Sequence, residues 1–412
     1  MCNHRTADQM VQAAQSGKQN IAEGCAAAAT SAKAEADRKN MKERIDIRLI
    51  GLIGLISLMG SCSGNDVPEP TQEQQTSISF SGSMPQGEAI SRADKGLEEV
   101  LDNKTFKVWA YKNTAADYST YQNVMPGYTV DYETNGTTDT NTHDWEYVGK
   151  GPSANPQDIK YWDFGAPAYR FFGYALGNST TASPASTVTE DDTDDSKVTF
   201  STSIDCSSET TRDAAPYFTE LWFSNDKVND YGKVVTLRFL KPYARVRFLF
   251  KFADNLNFGR EQLSNIKFYP SGLLETPSIP TAGNVTVTYP LKGTGTKETW
   301  TTSPTSNISA FLIDWYQIPE TPIPAGYPTE NPEYWYYVMP ATQGTYTVEV
   351  VVVAGEPQTA TVPAEYMKWE AGYEYTYVFK ITEAGGLEID LIQAYINKWN
   401  ERASEEHEVY NW

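Results

Sequence analysis

The chain is poor in the residues on which much enzyme chemistry depends. It holds only three histidines, His4, His143 and His407, among 412 residues. No Ser/His/Asp arrangement can be built from them, and there is no HExxH, no zinc-ligand spacing, no P-loop and no GxSxG. Cysteine is nearly as scarce. Of four, Cys2, Cys25 and Cys62 fall in the first 62 residues, which leaves Cys206 alone in the body. One thiol makes no internal disulfide, and CxxC is absent, so stability must come from a packed core. In SIDCSSE, Cys206 reads as an ordinary free thiol rather than a reactive one. Long apolar runs are missing too. The longest candidate, Leu49–Met59, has 11 residues, whereas a bilayer-spanning helix needs about 20. Positive charge is in deficit, with 33 Lys and Arg against 53 Asp and Glu. Eight basic and six acidic residues lie within 1–61, which leaves 25 against 47 and a net charge of -22 beyond them. Such a surface repels nucleic acid and anionic headgroups.

What is present begins with MKERIDIRLIGLIGLISLMGSC, residues 41–62. Lys42, Arg44 and Arg48 precede the short apolar run, and Gly60 and Ser61 follow it. That is a positive segment, a hydrophobic segment and a small-residue cleavage site, the pattern of an export signal. A cysteine directly after Gly-Ser resembles a lipobox, although Met59 replaces the usual Leu, Val or Ile. The resemblance implies a lipid on Cys62, palmitate included, and removal of residues 41–61. Several acyl chains hold a protein stably on a membrane where one does not. Residues 1–40 are Ala- and Gln-rich without a core pattern, and Met41 looks like a start. They are expected to be a non-native or disordered extension. Residues 62–76 are polar with two prolines and read as a linker.

The body from Ser77 is rich in aromatic and β-branched residues, with 26 Tyr, 16 Phe and 10 Trp in the chain. SISFSG alternates Ile78 and Phe80 against serines, and TFKVWAYKN sets Phe106, Val108 and Ala110 opposite Trp109 and Tyr111. DIKYWDFGAPAYRFFGYAL reads as two strands about a Gly-Ala-Pro turn, and APYFTELWFSND as one apolar strand. VVTLRFLKPYARVRFLFKFA gives two strands meeting at Lys241-Pro242. Short strands then continue at intervals marked by Gly, Pro and Asn, the pattern of β-sandwiches. The expectation is an all-β protein of two tandem sandwiches, 77–230 and 231–412. Residues 387–412 fit either a helix or a strand. As a strand, Ile389, Leu391, Tyr395 and Trp399 share a face. The acidic run EDDTDDS, 190–196, reads as a solvated loop, since it lacks the glycine and terminal Glu of an EF-hand. The clustered Trp and Tyr suit glycan stacking but equally suit cross-strand core pairs. No cofactor or metal is expected, and no catalysis.

Several of these stretches, in order, resemble the fimbrillin-like proteins of the Bacteroides group, the type V pilins. The lipobox at Cys62 is followed by SISFSG, SRADKG and FKVWAYK, then by YWDFGAPAYRFFGYAL, YFTELWFS and VVTLRFLKPYARVRF. YVMPA and WEAGYEYTYVFKIT complete the series, while Pro242-Tyr243 departs from the His-Ala found there in relatives. The resemblance implies transthyretin-like topology in both sandwiches and an outer-membrane lipoprotein precursor on the cell surface. It implies that an arginine-specific protease cuts between Arg92 and Ala93, removing the strand that carries Ile78 and Phe80. A strand from another pilin subunit then fills the vacated groove and builds a fimbria. The donor implied here lies in Leu387–Trp412, with Ile389, Leu391, Tyr395 and Trp399 as its candidate knobs. The alternative reading is a glycan-binding surface lipoprotein of a sugar-uptake system.

Overall fold

The structure, a computed structural model, describes residues 76–83, 97–132, 145–179, 184–252, 263–313, 335–352, 356–383, 387–398 and 405–408. All belong to one unit, Gln74–Trp412. Ten strands come first: β1 (Phe80–Ser83), β2 (Thr105–Asn113), β3 (Tyr121–Tyr132), β4 (Trp145–Glu146), β5 (Ala168–Ala175), β6 (Thr189–Asp191), β7 (Lys197–Asp205), β8 (Tyr217–Thr219), β9 (Trp222–Ser224) and β10 (Val235–Leu240). Then follow β11 (Ala244–Phe252), β12 (Leu263–Pro270), β13 (Ile279–Pro290), β14 (Thr299–Ile308), β15 (Phe311–Ile313), β16 (Tyr336–Val338), β17 (Ala341–Thr342), β18 (Tyr346–Val352), β19 (Gln358–Val362), β20 (Lys368–Trp369), β21 (Tyr373–Glu383), β22 (Leu387–Lys398) and β23 (Glu405–Glu408). Two short helices, α1 (Leu97–Val100) and α2 (Glu209–Ala214), interrupt the strands. The chain is all-β.

The first sheet runs β1-β10-β8-β5-β2-β3-β4, with β9 also on β5. Its central strands are buried on both faces. Every residue of β5, AYRFFGYA, is buried. Phe106, Val108 and Ala110 of β2 join one core with Phe171, while Trp109 and Tyr111 join another with Phe172. The alternation expected for β2 is therefore real, but both faces pack against a core, with Lys107 on one and Lys112 on the other still partly exposed. Phe239 on β10 lies 5.2 Å from Phe106 on β2, ring centre to ring centre. Three strand spacings separate those strands, about 14 Å in a flat sheet. The sheet must curl over its first core to bring them together.

The second core lies between this sheet and another of order β14-β13-β7-β6. Phe172 stacks on Tyr289 at 4.3 Å, and Trp109 meets Phe200 at 4.7 Å. The β7–β13 ladder spans nine residue pairs, Ala282↔Asp205 to Pro290↔Lys197. It crosses the expected 230/231 division, as does the pairing of β10 with β1 and β8. The third core fills the space between sheets β16-β11-β21-β22-β23 and β15-β12-β18-β19. Phe248, Phe268 and Tyr377 meet at its centre. On β11, Arg245 forms a buried 2.6 Å ion pair with Glu374 of β21, and Trp335 covers both Arg245 and Arg247.

Three local readings change. Tyr161 makes only an isolated bridge to Ser77, so YWDF is no strand. The Asp163 carboxylate instead accepts from Gly165 N at 2.8 Å and turns the chain. The apolar run 215–226 divides into β8 and β9. Leu221 N turns to the Glu298 carboxylate at 2.8 Å and the ladder is broken there. Residues 387–398 resolve as a strand, β22, paired along β21.

Lys241 ties β10 to the end of α2. Its Nζ donates to the carbonyls of Arg212, Asp213 and Ala215 at 3.0, 3.1 and 2.7 Å and sits 3.8 Å from the Tyr217 ring centre. Three acceptors match the three N–H donors of an ammonium. Burial pulls its pKa down to about 7, the nearby Asp213 opposing only in part.

Candidate functional site

The residues singled out near the start of the body converge on one slot. Ile78 and Phe80 are fully buried in the first core. Phe80 is surrounded edge-on by Phe106, Tyr147 and Phe171, at 6.4, 5.9 and 5.8 Å. The backbone is held on both sides. On one, β1 runs parallel to β10 from Phe80↔Val235 to Ser83↔Arg238, and Val235 N donates to Ser79 O at 2.9 Å. On the other, Ile78 N donates to Lys160 O at 2.8 Å and Trp162 N to Thr76 O at 2.9 Å. Residues 76–83 are thus a plug between β10 and the 160–162 segment.

Tyr147 closes the slot from within. Its phenol donates to Ile78 O at 2.9 Å and accepts from Lys160 N at 3.1 Å. Burial pushes its pKa well up, so it stays a donor across physiological pH. Removing the plug would strip partners from Lys160 O, Val235 N and Tyr147 Oη and uncover Phe106 and Phe171. Orphaned backbone groups and bared aromatic surface are both costly. Sequence patterning finds Ile78 and Phe80 but misses Tyr147, which sits in a polar stretch and is recruited only by the fold.

The chain returns to the same place after the plug. A methyl group built on Gly82 would lie 2.6 Å from Leu97 Cδ2, at the start of α1. Ser83 and Leu97, which flank residues 84–96, therefore lie at one end of β1. Arg92 and Ala93 belong to that connection and lie outside the described residues, as does Cys62.

The candidate donor segment pairs within its own sheet. β22 matches β21 from Tyr373↔Lys398 to Glu383↔Leu387, and β23 adds Gln393↔Glu408 to Ile396↔Glu405. A register shift falls between Val378 and Phe379. Ile389 and Leu391 stand opposite Ile381 and Phe379, whereas Tyr395 stands opposite Thr376. Trp399 lies outside the described residues.

The other candidates are used structurally. In the acidic run, Asp191 and Asp194 accept from Thr193 and Ser196, Asp195 pairs with Lys292 at 2.8 Å, and Glu190 pairs with Lys107 at 2.7 Å. Among the described residues no group of three acidic, His or Cys side chains is arranged to hold a metal ion. Cys206 is buried and its thiol is pushed up to about 12, the nearby Arg212 opposing burial only in part. His407 lies on β23, and His143 lies outside the described residues. No helix among the described residues is long and apolar enough to cross a membrane.

The fold and this slot define an all-β sandwich protein whose first core is completed by its own N-terminal edge strand. Residues 91–399 match the family model described as Fimbrillin-like, and the chain belongs to that family. Solved structures similar to it include a candidate cell adhesion protein from Bacteroides uniformis, 13% identical, covering 81% of this chain and 100% of that one at a TM-score of 0.31. A fimbrial assembly protein from Parabacteroides distasonis is 11% identical, with 80% and 99% covered at a TM-score of 0.29. A candidate adhesin from Bacteroides thetaiotaomicron is 11% identical, with 78% and 96% covered at 0.31. No curated protein matches the chain.

Proposed function

We propose that the chain is the precursor of a fimbrial subunit that assembles at the cell surface and contributes to adhesion. In this reading Met41–Ser61 directs export, Cys62 carries the lipid at the outer membrane, and residues 62–76 space the folded part from it. Two sandwich modules follow, 77–230 and 231–412, with β10 and the β13–β14 hairpin lending strands back to the first. An arginine-specific protease cuts between Arg92 and Ala93 and frees the plug. A strand from another pilin subunit then occupies the slot, with Leu387–Trp412 as the candidate donor. Donation by that segment requires β22 to leave β21.

Family membership supports the fimbrial reading, and one observation carries the assembly step: residues 76–83 lie between two backbone partners with Ile78 and Phe80 fully buried. A slot of that kind suits a strand whose alternate apolar side chains fit the two pockets that Ile78 and Phe80 fill. The test is Arg92→Ala in cells that make the fimbria. The expected product is unpolymerised, lipidated precursor. A normal polymer ladder from this variant would reject Arg92 as the maturation site.

A further inference from the structure

Away from the plug slot, a cleft of about 460 Å³ opens between β14 on one side and β17, β20 and the turn before β21 on the other. That volume falls in the range of small-molecule sites, about 300–1,000 Å³. The cleft shares no residue with the slot around Ile78 and Phe80.

Its lining combines aromatic walls with fixed acceptors. Trp300 and Tyr373 are each half-buried, and Trp300 is braced edge-on against Phe218 at 5.9 Å. Glu298 is buried, with one carboxylate oxygen 2.8 Å from Leu221 N and the other 3.3 Å from Trp300 Nε1. Each oxygen so held keeps a second lone pair for another donor. The indole and the carboxylate are therefore locked together, an aromatic face beside a pre-aimed acceptor. At the rim, Glu370 is held by Lys368 at 2.6 Å, and the hydroxyl-bearing Thr342 faces the same opening. β17 and β20 fix that rim through Ala341↔Trp369 and Thr342↔Lys368.

The chemistry selects the ligand. Glu220, Glu298 and Glu370 line the cleft against Lys297 and Lys368, on a chain of net charge -20, which disfavours phosphates and other anions. The described carboxylates form no metal-ligand group. An apolar ring face beside acceptors and hydroxyls suits a molecule with many O–H donors and a C–H face, which is a neutral saccharide. The geometry points to this cleft as a saccharide site through which the subunit adheres. The assignment rests on the adhesive part of the proposed function.

The experiment uses the full mature chain with four probes: methyl α-mannoside, lactose, L-fucose and N,N′-diacetylchitobiose. Saturation-transfer NMR detects contact, and calorimetry measures affinity. Binding of at least one probe is expected. Trp300→Ala should weaken it about tenfold or more, the usual loss when a central aromatic anchor is removed. Because Trp300 also touches the core, Thr342→Trp provides a second variant: it fills the cleft from its exposed rim and should abolish binding while the fold, followed by circular dichroism, is kept. No saturation transfer from any probe at about 10 mM, a concentration that detects affinities down to the millimolar range, overturns the assignment. So does binding that survives Thr342→Trp unchanged. Polymer ladders of the same variants separate the two readings. Normal ladders without saccharide binding reject the cleft and leave the fimbrial reading standing, whereas saccharide binding by a protein that never polymerises does the reverse.

Discussion

Phe80→Ala tests whether residues 76–83 are the plug of the first core or a decorative edge. The ring is fully buried and has three aromatic neighbours on separate parts of the fold: Phe106 on β2, Phe171 on β5 and Tyr147 after β4. Losing its burial removes about 1.5–3 kcal/mol of transfer free energy. The walls that remain are anchored in ladders of their own, β2 on both β3 and β5, so they collapse little into the space. The cavity term therefore adds to the transfer term, and a loss of about 3–5 kcal/mol is expected. The edge-on ring contacts are part of that figure, not an addition to it. The assay is urea unfolding of a non-lipidated Cys62→Ala chain, followed by tryptophan fluorescence, with amide exchange at Ser79–Ser81 read alongside. Trp145 and Trp162 lie in the same core and report on it directly. Ile78→Val, a smaller deletion in the same plug, should cost about 0.5–1.5 kcal/mol. In fimbria-forming cells Phe80→Ala should also speed assembly, because the resident strand is easier to displace. A loss below about 1 kcal/mol for Phe80→Ala, with the Ser79–Ser81 amides as protected as before, refutes the plug.

Two other perturbations read the joint between β10 and β11. Cys206, buried and raised to about 12, should not react with a thiol reagent at pH 8 until the chain unfolds, and fast labelling of the native protein would show that the site is open. The sign for stability follows. Because the folded thiol binds its proton more tightly than the unfolded one, Cys206 contributes fully below an unfolded value near 9, and stability falls as pH rises from about 9 through 12. Cys206→Ala should flatten that alkaline limb in a urea series. Lys241→Met keeps the stem but removes the ammonium from three carbonyls. Arg212 O and Asp213 O keep backbone donors in Ala215 N and Asn178 N, whereas the buried Ala215 O loses its charged donor. A loss of about 1–3 kcal/mol is therefore expected by thermal unfolding, and an unchanged midpoint would mean water replaces the ammonium.

Much of the molecule is legible in the chain because strand patterning is local. TFKVWAYKN and KVTFSTSID alternate as β2 and β7 do, and the plug residues Ile78 and Phe80 stand out as apolar among serines. Local pattern fails where a side chain far along the chain decides the backbone. Nothing within 215–226 announces that Leu221 will turn to Glu298, and nothing near Asp163 separates a turn from a strand. The ambiguous segment 387–398 becomes β22 because the neighbouring β21 offers it a full ladder, a pairing that neither period in the segment determines. The saccharide cleft was invisible for the same reason: Trp300 and Glu298 are ordinary residues until β14 is set opposite β17 and β20.

By itself the sequence determined the class of protein. Scarce histidine and cysteine, an acidic surface, and short aromatic alternations leave an all-β protein stabilised by packing, and residue periodicity fixes which side chains face inward because a strand's period is two. Only the tertiary structure decided what those strands close against. It curls the first sheet so that Phe239 meets Phe106, sends β13 back to pair with β7 and carries β14 along on its other edge, and sets β1 between β10 and residues 160–162. Those contacts join residues tens to more than a hundred positions apart, and their energy depends on the partner face as much as on the strand that meets it.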